Sequence, residues 1–289
     1  MTSIIVTRAG PLATLQDAGR FGMLAHGISA SGPMDASAFR AAGALLERSG
    51  PTAIEFTAAG LSFTADGPLR AAGAGGRFKL TVNGNLREWP ARLGLDAGDK
   101  VDITPGPAGN YGYLRFDREI DLPAVLGSGS TNVAVGLGGY KGRALRAGDR
   151  IAFGAMGEPV VPNAADAPDG PIRVLWGLHA DLFDRNLRQR FVEAAFRVSS
   201  TLDRMGVRLA DPAGVFTGQR RLTLVSDAIV AGDIQILGDG TPIVLMRDHQ
   251  PTGGYPRIAT IVSADLDRFA QMRPGTDLRF VPVTLEHAR

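Results

Sequence analysis

The chain has 289 residues, 38 of them glycine and none cysteine, with a formal charge of +2 and a hydrophobic fraction of 44%. Zero cysteine excludes disulfides, cysteine-based zinc sites and thiol nucleophiles. The near-neutral balance, with Arg and Lys scattered, gives no nucleic-acid footprint, and no apolar run approaches the ~18 residues of a membrane helix. The opening MTSIIVTRAG lacks a basic stretch followed by an apolar one, so a cytoplasmic protein without a membrane segment is expected. Glycine near twice the usual ~7%, with no repeat period, predicts many short strands joined by tight turns.

In chain order, Ser3 to Thr7 reads as a strand and Ala13 to Ser31 as a long polar loop, a feature often tied to function. Ser31-Gly32-Pro33-Met34-Asp35 reads as a helix start capped by Ser31 or Gly32, with an apolar face (Ala38, Ala41, Ala42, Leu45, Leu46) running to about Arg48. Strands follow at 54–57, 61–64, 78–82, 100–103, 111–116, 131–135 and 150–153, with Asn83-Gly84 as a two-residue hairpin turn. Ala91 to Val101 and Arg143 to Ile151 share a leucine, one intervening residue, Ala-Gly-Asp and a basic residue, a weak internal repeat. The stretch Gly157 to Gly170, with three prolines and no period, is the expected linker. It separates a domain at 1–165 from one at 166–289. The second half predicts a strand at 172–176, a helix from Ala180 to about Phe196, strands at 222–225, 234–237, 243–246, 257–262 and 278–283, and a short helix at 264–271.

Several kinds of chemistry have no motif here. No P-loop and no G-x-S-x-G occur, and the four histidines lack metal-ligand spacing, so no metal site is expected. Gly136 to Gly142 misses the spacing of a dinucleotide fingerprint. What remains is hydrogen-bonding equipment. The polar run Asp248 to Tyr255 lies between two apolar strands. Gly253 and Gly254 are expected to supply positive φ and close backbone approach, Gln250 and Thr252 to contact an amide, and Tyr255 to stack, donate or simply pack. Gln235 faces opposite to its strand neighbours Ile234 and Ile236, as a solvent-side residue or a pocket donor. Asp17 and Arg20, and again Asp203-Arg204, read either as structural pairs or as guanidinium forks held for a carboxylate or phosphoryl oxygen, with Arg208 facing solvent. Such equipment suits activation of an amide or ureido carbonyl but supplies no evident nucleophile.

The run Asp248 to Tyr255 resembles the signature of the allophanate hydrolase subunit 2 family, also called KipA or the C component of bacterial 5-oxoprolinase. The same module forms the C-terminal half of the carboxyltransferase domain of urea carboxylase. Four further blocks match in family order: 16–22 (QDAGRFG), 31–35 (SGPMD), 126–131 (LGSGST) and 203–209 (DRMGVRL). The resemblance implies a mainly β protein of two cyclophilin-like β-barrel-type domains with a few short helices. It implies one component of a heteromeric, ATP-dependent 5-oxoprolinase, with ATP used through the complex. A KipI-like chain and a LamB/YcsF-like chain would be its partners, and a small amide or lactam its substrate. In that reading Arg20 and Arg204 hold carbonyl or phosphoryl oxygens, Asp17 and Asp203 orient them, and Ser31 and Met34 join the Gln235 and Gln250–Tyr255 positions in binding substrate. Two alternatives are half of a biotin-dependent carboxyltransferase acting on urea or a related amide, and a KipA-type protein that binds a KipI-like kinase inhibitor. The sequence departs from the family's usual pattern at Gly43 (Asn), Gly129 (Arg) and Pro251 (Thr), and has Arg115 to Glu119 where an Ala-Val-Ala-Gly-Gly strand end is usual.

Overall fold

The computed structural model describes residues 2–160, 170–218 and 224–288. Its contacts divide the chain into two compact units, residues 1–20 with 31–165 and residues 21–30 with 166–289. Both are mainly β, with helix α1 (Ala36–Ala44) in the first and α2 (Arg185–Glu193) and α3 (Ser263–Ala270) in the second. No helix among the described residues is long and apolar enough to cross a membrane.

The first unit holds a ten-stranded sheet among the described residues. Its path is Arg118–Ile120, Arg150–Met156, Ser3–Ala9, Leu61–Ala65, Lys100–Phe116, Ala53–Thr57 and Thr14–Gln16. Leu69–Val82 lies along Lys100–Phe116 and carries Asn85–Arg87 and Ala91–Leu95. Period-two alternation sets the inward face: Leu61, Phe63 and Ala65 are buried while Ser62 and Thr64 are half-buried. The expected strands 100–103 and 111–116 are the two ends of one 17-residue strand. Pro105, Gly106 and Pro107 hide its continuity because they read as a turn. In the sheet they sit opposite a pair of register shifts around Arg77, where a Cβ on Gly106 would fall 1.6 Å from the Arg77 carbonyl oxygen.

Turn chemistry follows the sequence closely. Asn83-Gly84 closes the hairpin at the Val82↔Asn85 pair with φ of 52° and 80°, the two left-handed residues that a two-residue loop needs. The Ala-Gly-Asp repeat is one turn used twice. Asp99 Oδ2 accepts from the Asp96 N–H and Asp149 Oδ2 from the Arg146 N–H, each at 2.8 Å, with Gly98 and Gly148 at φ of 92° and 91°.

Helix α1 starts later than expected. Its cap is Asp35, whose Oδ1 accepts from the Ala38 N–H at 2.8 Å. Ser31 and Gly32 instead hold left-handed conformations (φ 56° and 82°), which turn the chain before the helix. A buried polar chain fixes that entry. The Met34 N–H and the Tyr113 hydroxyl both donate to Glu55 Oε2 at 2.8 Å, and Tyr113 Oη accepts from the Asp35 N–H at 2.8 Å. Burial, then the charges of Glu55 and Asp35, push the Tyr113 hydroxyl well above its ordinary pKa, so it stays a donor.

The second unit is an eight-stranded sheet among the described residues, ordered Asp277–Leu278, Phe196–Leu202, Gly206–Ala210, Pro242–Leu245, Asp233–Ile236, Arg257–Ile261, Ile172–Trp176 and Phe280–Pro282. Its first and last members are consecutive in the chain, separated by Arg279 alone, so the sheet curls nearly closed. Phe183, Phe191, Phe196, Phe216 and Phe280 pack as one aromatic cluster, with Phe191 stacked on Phe280 at 5.1 Å between ring centres.

Several expectations are corrected. Residues 131–135 form a turn bridged at Asn132↔Leu137, not a strand. The loop 13–31 contains the strand Thr14–Gln16 and a single 3₁₀ turn, Leu24–His26. The helix expected from Ala180 begins at Arg185, because Asp184 caps it through a 2.8 Å bond from the Leu187 N–H. In the expected linker, Glu158–Pro159 pairs with Arg48–Ser49, and residues 161–169 lie outside the described residues. Of the strand expected at 222–225, residues 222 and 223 lie outside them too.

Tyr113→Phe is expected to destabilise the protein by about 1–3 kcal/mol, since it orphans the Asp35 N–H and takes a donor from a buried carboxylate. Urea denaturation of the variant, with a transition unchanged within error, would refute this role for the hydroxyl.

Candidate functional site

In the first unit the polar residues around the 126–131 turn satisfy one another. Asp17 sits between Thr14–Gln16 and a glycine-bearing turn, and its carboxylate accepts from the Gly19 and Gly129 N–H groups (2.9 and 2.6 Å) and from the Ser128 and Ser130 hydroxyls (both 2.6 Å). Burial works to raise its pKa, but these four donors override it, and the group titrates below its ordinary value. Its bonds go to this turn and not to Arg20, which corrects the expected Asp17–Arg20 pairing. Arg20 is 2% exposed; Nη2 donates to the Ser130 carbonyl and Nη1 to Ser31 Oγ at 3.4 Å. Its guanidinium thus shapes the 126–131 turn from inside. The glycine run 136–142 packs over the same turn: a Cβ on Gly138 would fall 2.1 Å from the Ser130 oxygen, and one on Gly139 1.9 Å from Thr131 Oγ1. Met34 is wholly buried and Ser31 nearly so. Two departures from the family pattern meet here, since a Cβ on Gly43 would lie 3.4 Å from the guanidinium of Arg115, itself stacked 4.3 Å from the Phe39 ring centre.

The second unit has an open cavity of about 440 Å³ at one side of its sheet. Seven of the residues singled out from sequence line it: Asp203, Gln235, Gln250, Thr252, Gly253, Gly254 and Tyr255. Ile229, Ile243, Leu245 and Leu237 supply apolar wall, and Arg208 its guanidinium. Gln235 is 5% exposed, and its side chain makes a single bond among the described residues, 3.5 Å from Nε2 to the Tyr255 carbonyl oxygen. A nearly buried carboxamide held so weakly keeps hydrogen-bonding capacity to spare. Neither Gly253 nor Gly254 adopts a positive φ. Space dictates glycine there: a Cβ would fall 2.5 Å from Gln235 Nε2 at Gly253 and 3.0 Å from the Leu224 carbonyl oxygen at Gly254.

Arg204 lies behind the cavity rather than in its lining. Nε and Nη2 donate to Asp248 Oδ2 and Oδ1 at 2.8 and 3.2 Å, with both side chains 3% exposed. Backbone bonds run beside the pair, from the Asp248 N–H to the Arg204 oxygen (2.7 Å) and from Met246 to Met205 (2.9 Å). Asp203 does not orient Arg204, as expected from sequence; its Oδ1 accepts from the Met205 and Gly206 N–H groups at 2.7 and 3.1 Å and tightens that turn. Asp248, the true partner, stood within the polar run but 44 residues away, beyond any local pattern.

A second arginine holds the cavity's outer ribbon, where Asp227–Ala228 pairs with Thr252–Gly253. Arg257 donates to Asp227 Oδ2 at 2.6 Å and to the Ala228 carbonyl at 2.7 Å, and lies 3.5 Å from Asp233 Oδ2. His179 Nδ1 faces Arg257 Nε at 3.4 Å. Burial, then the Arg257 charge, lower the His179 pKa against the opposing pull of Asp227 and Asp233. Among the described residues no three His, Asp or Glu side chains converge as metal ligands.

These features belong to a known class of protein. A sequence profile of the carboxyltransferase domain, subdomain A and B, matches residues 26–282, and the chain belongs to that family. It is 36% identical to the C component of 5-oxoprolinase from Escherichia coli (strain K12), over 98% of this chain and 92% of that protein. The corresponding 5-oxoprolinase component of Haemophilus influenzae is 34% identical over 96% of this chain and 90% of its own length. The crystal structure of Kluyveromyces lactis urea carboxylase superposes with a TM-score of 0.86 at 28% identity, covering 99% of this chain and 28% of that one.

Arg204→Ala is expected to cost about 3–5 kcal/mol by leaving Asp248 charged and unpaired in the interior, whereas Arg204→Met with Asp248→Leu regains much of it. Denaturant midpoints for both variants check this, and equal losses would refute it. Acid sensitivity follows from His179. In the unfolded chain a histidine titrates near ~6.5, and in the fold it binds its proton less readily. The unfolded state therefore takes up the proton first, and stability declines as pH falls below ~6.5, levelling off under the folded value. His179→Gln removes this component, so the wild-type minus variant difference in unfolding free energy should depend on pH between 8 and 5; a flat difference excludes it.

Proposed function

We propose that this chain is the C-type component of a heteromeric 5-oxoprolinase, and that the cavity of the second unit takes the lactam. The observation that carries this reading is the cavity's lining. Two carboxamides, Gln235 and Gln250, a hydroxyl at Thr252 and the phenol of Tyr255 surround an apolar floor of Ile229, Ile243 and Leu245. A small cyclic amide needs this set: donors for its carbonyl oxygen, an acceptor for its N–H and apolar contact for its ring carbons. Opening the ring adds water to the carbonyl carbon and breaks the C–N bond, leaving an amine and a carboxylate. Negative charge builds on the carbonyl oxygen on the way, and fixed carboxamide and backbone N–H donors stabilise it there. The two 5-oxoprolinase relatives, alike over nearly the whole chain, support the choice of lactam.

Phosphate recognition calls for a cradle of backbone N–H groups or several guanidinium forks, and the lining contains a single arginine. ATP is accordingly assigned to the assembled enzyme, with KipI-like and LamB/YcsF-like chains as partners and the cytoplasm as its place. Arg20 and Arg204 act as positioning residues, the first on the 126–131 turn and the second on the loop that presents Gln250. The likeness to urea carboxylase favours one other reading, half of a biotin-dependent carboxyltransferase. The same carboxamides would then meet a neutral ureido group.

Reconstitution with the two partner chains separates these readings. ATP-dependent release of glutamate from 5-oxoproline is expected, and Gln250→Ala should lower kcat/KM at least about tenfold. Full activity in both Gln250→Ala and Gln235→Leu would overturn the cavity as the site. Carboxylation of urea that requires a biotinylated partner would replace the lactam reading.

A further inference from the structure

Arg208 lies in the strand Gly206–Ala210, exposed, on a face that lines the cavity. Its guanidinium makes no hydrogen bond or ion pair with any described residue. The bonds from Thr241 lower the Asp239 pKa most and the Arg208 charge least, and both Asp239 and Asp203 hold backbone N–H groups of their own turns. Asp203 accepts from the Met205 and Gly206 N–H groups, and Asp239 Oδ1 from the Thr241 N–H at 2.9 Å. Other arginines of this unit are paired to a carboxylate, among them Arg173, Arg204 and Arg257. Arg279 likewise borders a hollow without a carboxylate partner among the described residues, but that hollow carries no carboxamide, whereas Arg208 shares its cavity with Gln235 and Gln250.

Register gives the feature direction. Arg208 stands opposite Ile243, and Ile243 stands opposite Gln235. Directly opposed residues of antiparallel strands point to the same face, so the three form one row across three strands. Strand spacing places the ends of the row about 10 Å apart at Cα. The row reads guanidinium, apolar side chain, carboxamide, and all three residues line the cavity. We propose that Arg208 is the specificity residue that selects an anionic substrate: it pairs with a carboxylate carried by the small amide whose carbonyl meets Gln235. The ligand class is then a compact lactam or amide with a carboxylate on the far side of a short aliphatic ring or chain. This inference rests on the cavity reading above and adds to it the charge and orientation of what binds. An arginine fork suits the task because it offers a carboxylate two parallel donors.

Calorimetric titration of the full chain with 5-oxo-L-proline and with 2-pyrrolidinone, the same lactam without its carboxylate, tests the assignment. The wild type should prefer the carboxylated lactam roughly ten- to a hundredfold. Arg208→Gln should abolish that preference while leaving the affinity for 2-pyrrolidinone unchanged, and Arg208→Lys should restore part of it, since a point charge remains without the fork. Arg208 is exposed, so neither substitution opens the core. Persistence of the preference in Arg208→Gln overturns the inference. Equal binding of the two lactams by the wild type, with both weakened by Gln235→Leu, removes the role of Arg208 and leaves the cavity reading intact. Wild-type protein that binds neither lactam overturns both.

Discussion

The buried pair between Arg204 and Asp248 is the constraint on which the second unit's chemistry depends. Desolvating two charges is costly, and the bidentate geometry together with the parallel backbone bonds works to offset it. The energetic return is therefore small, and the consequence is geometric. The pair fixes the turn after Phe196–Leu202 to the start of the loop that carries Gln250, Thr252 and Tyr255. Two segments 44 residues apart are thereby held in one relation, and the cavity lies between their side chains. A hydrophobic pair could fill the same volume, but it would not fix the angle at which the loop departs.

A second layer of fixation comes from His249 and Arg257. The His249 Nδ1–H donates to the Gln250 carbonyl at 2.6 Å, tying the loop at its first residue, and Arg257 ties the ribbon facing its far end. Gly253 then lets the loop lie against Gln235 at a distance that no side chain would permit. Each device restrains backbone and leaves the lining side chains with bonding capacity to spare. Such an arrangement is preorganised: the ordering cost is met on folding and not again on binding.

Much of this was legible in the sequence, and the pattern of what was not is physical. Local chemistry read well. Asn83-Gly84, the doubled Ala-Gly-Asp turn and α3 all stand where turn residues and apolar spacing place them, because each depends on neighbours within a few residues. The cavity-lining loop was legible through the family signature it resembles, since a polar, glycine-bearing run between two apolar strands is by composition alone more often a plain turn. Partners were not. Asp17 was read with Arg20 and Asp203 with Arg204 because they are close in sequence, yet the carboxylates cap turns and the guanidinium of Arg204 reaches across the sheet. The strands Phe196–Leu202 and Gly206–Ala210 were missed for a related reason. Ser199, Ser200 and Thr201 dilute the alternation of the first, and the second is short enough that its pairing with Phe196–Leu202 and Pro242–Leu245 defines it.

The two units also differ in what their polar residues have left to give. In the first unit the side chains that look catalytic are saturated: Asp17 by four donors, Glu55 by a backbone N–H and a phenol, Arg20 by a carbonyl of the turn it supports. Their sequence pattern is that of a site, but their geometry is that of a rigid scaffold, since a group whose hydrogen bonds are complete must break one to bind anything. In the second unit Gln235 holds one long bond and Arg208 none among the described residues, although both border the same hollow. Unsatisfied capacity beside a cavity is the condition under which a ligand gains energy by arriving. By that criterion the Gly206–Ala210 strand and the Gln250 loop, which both border the cavity, keep the bonding capacity that the first unit's glycine-rich motifs have already used.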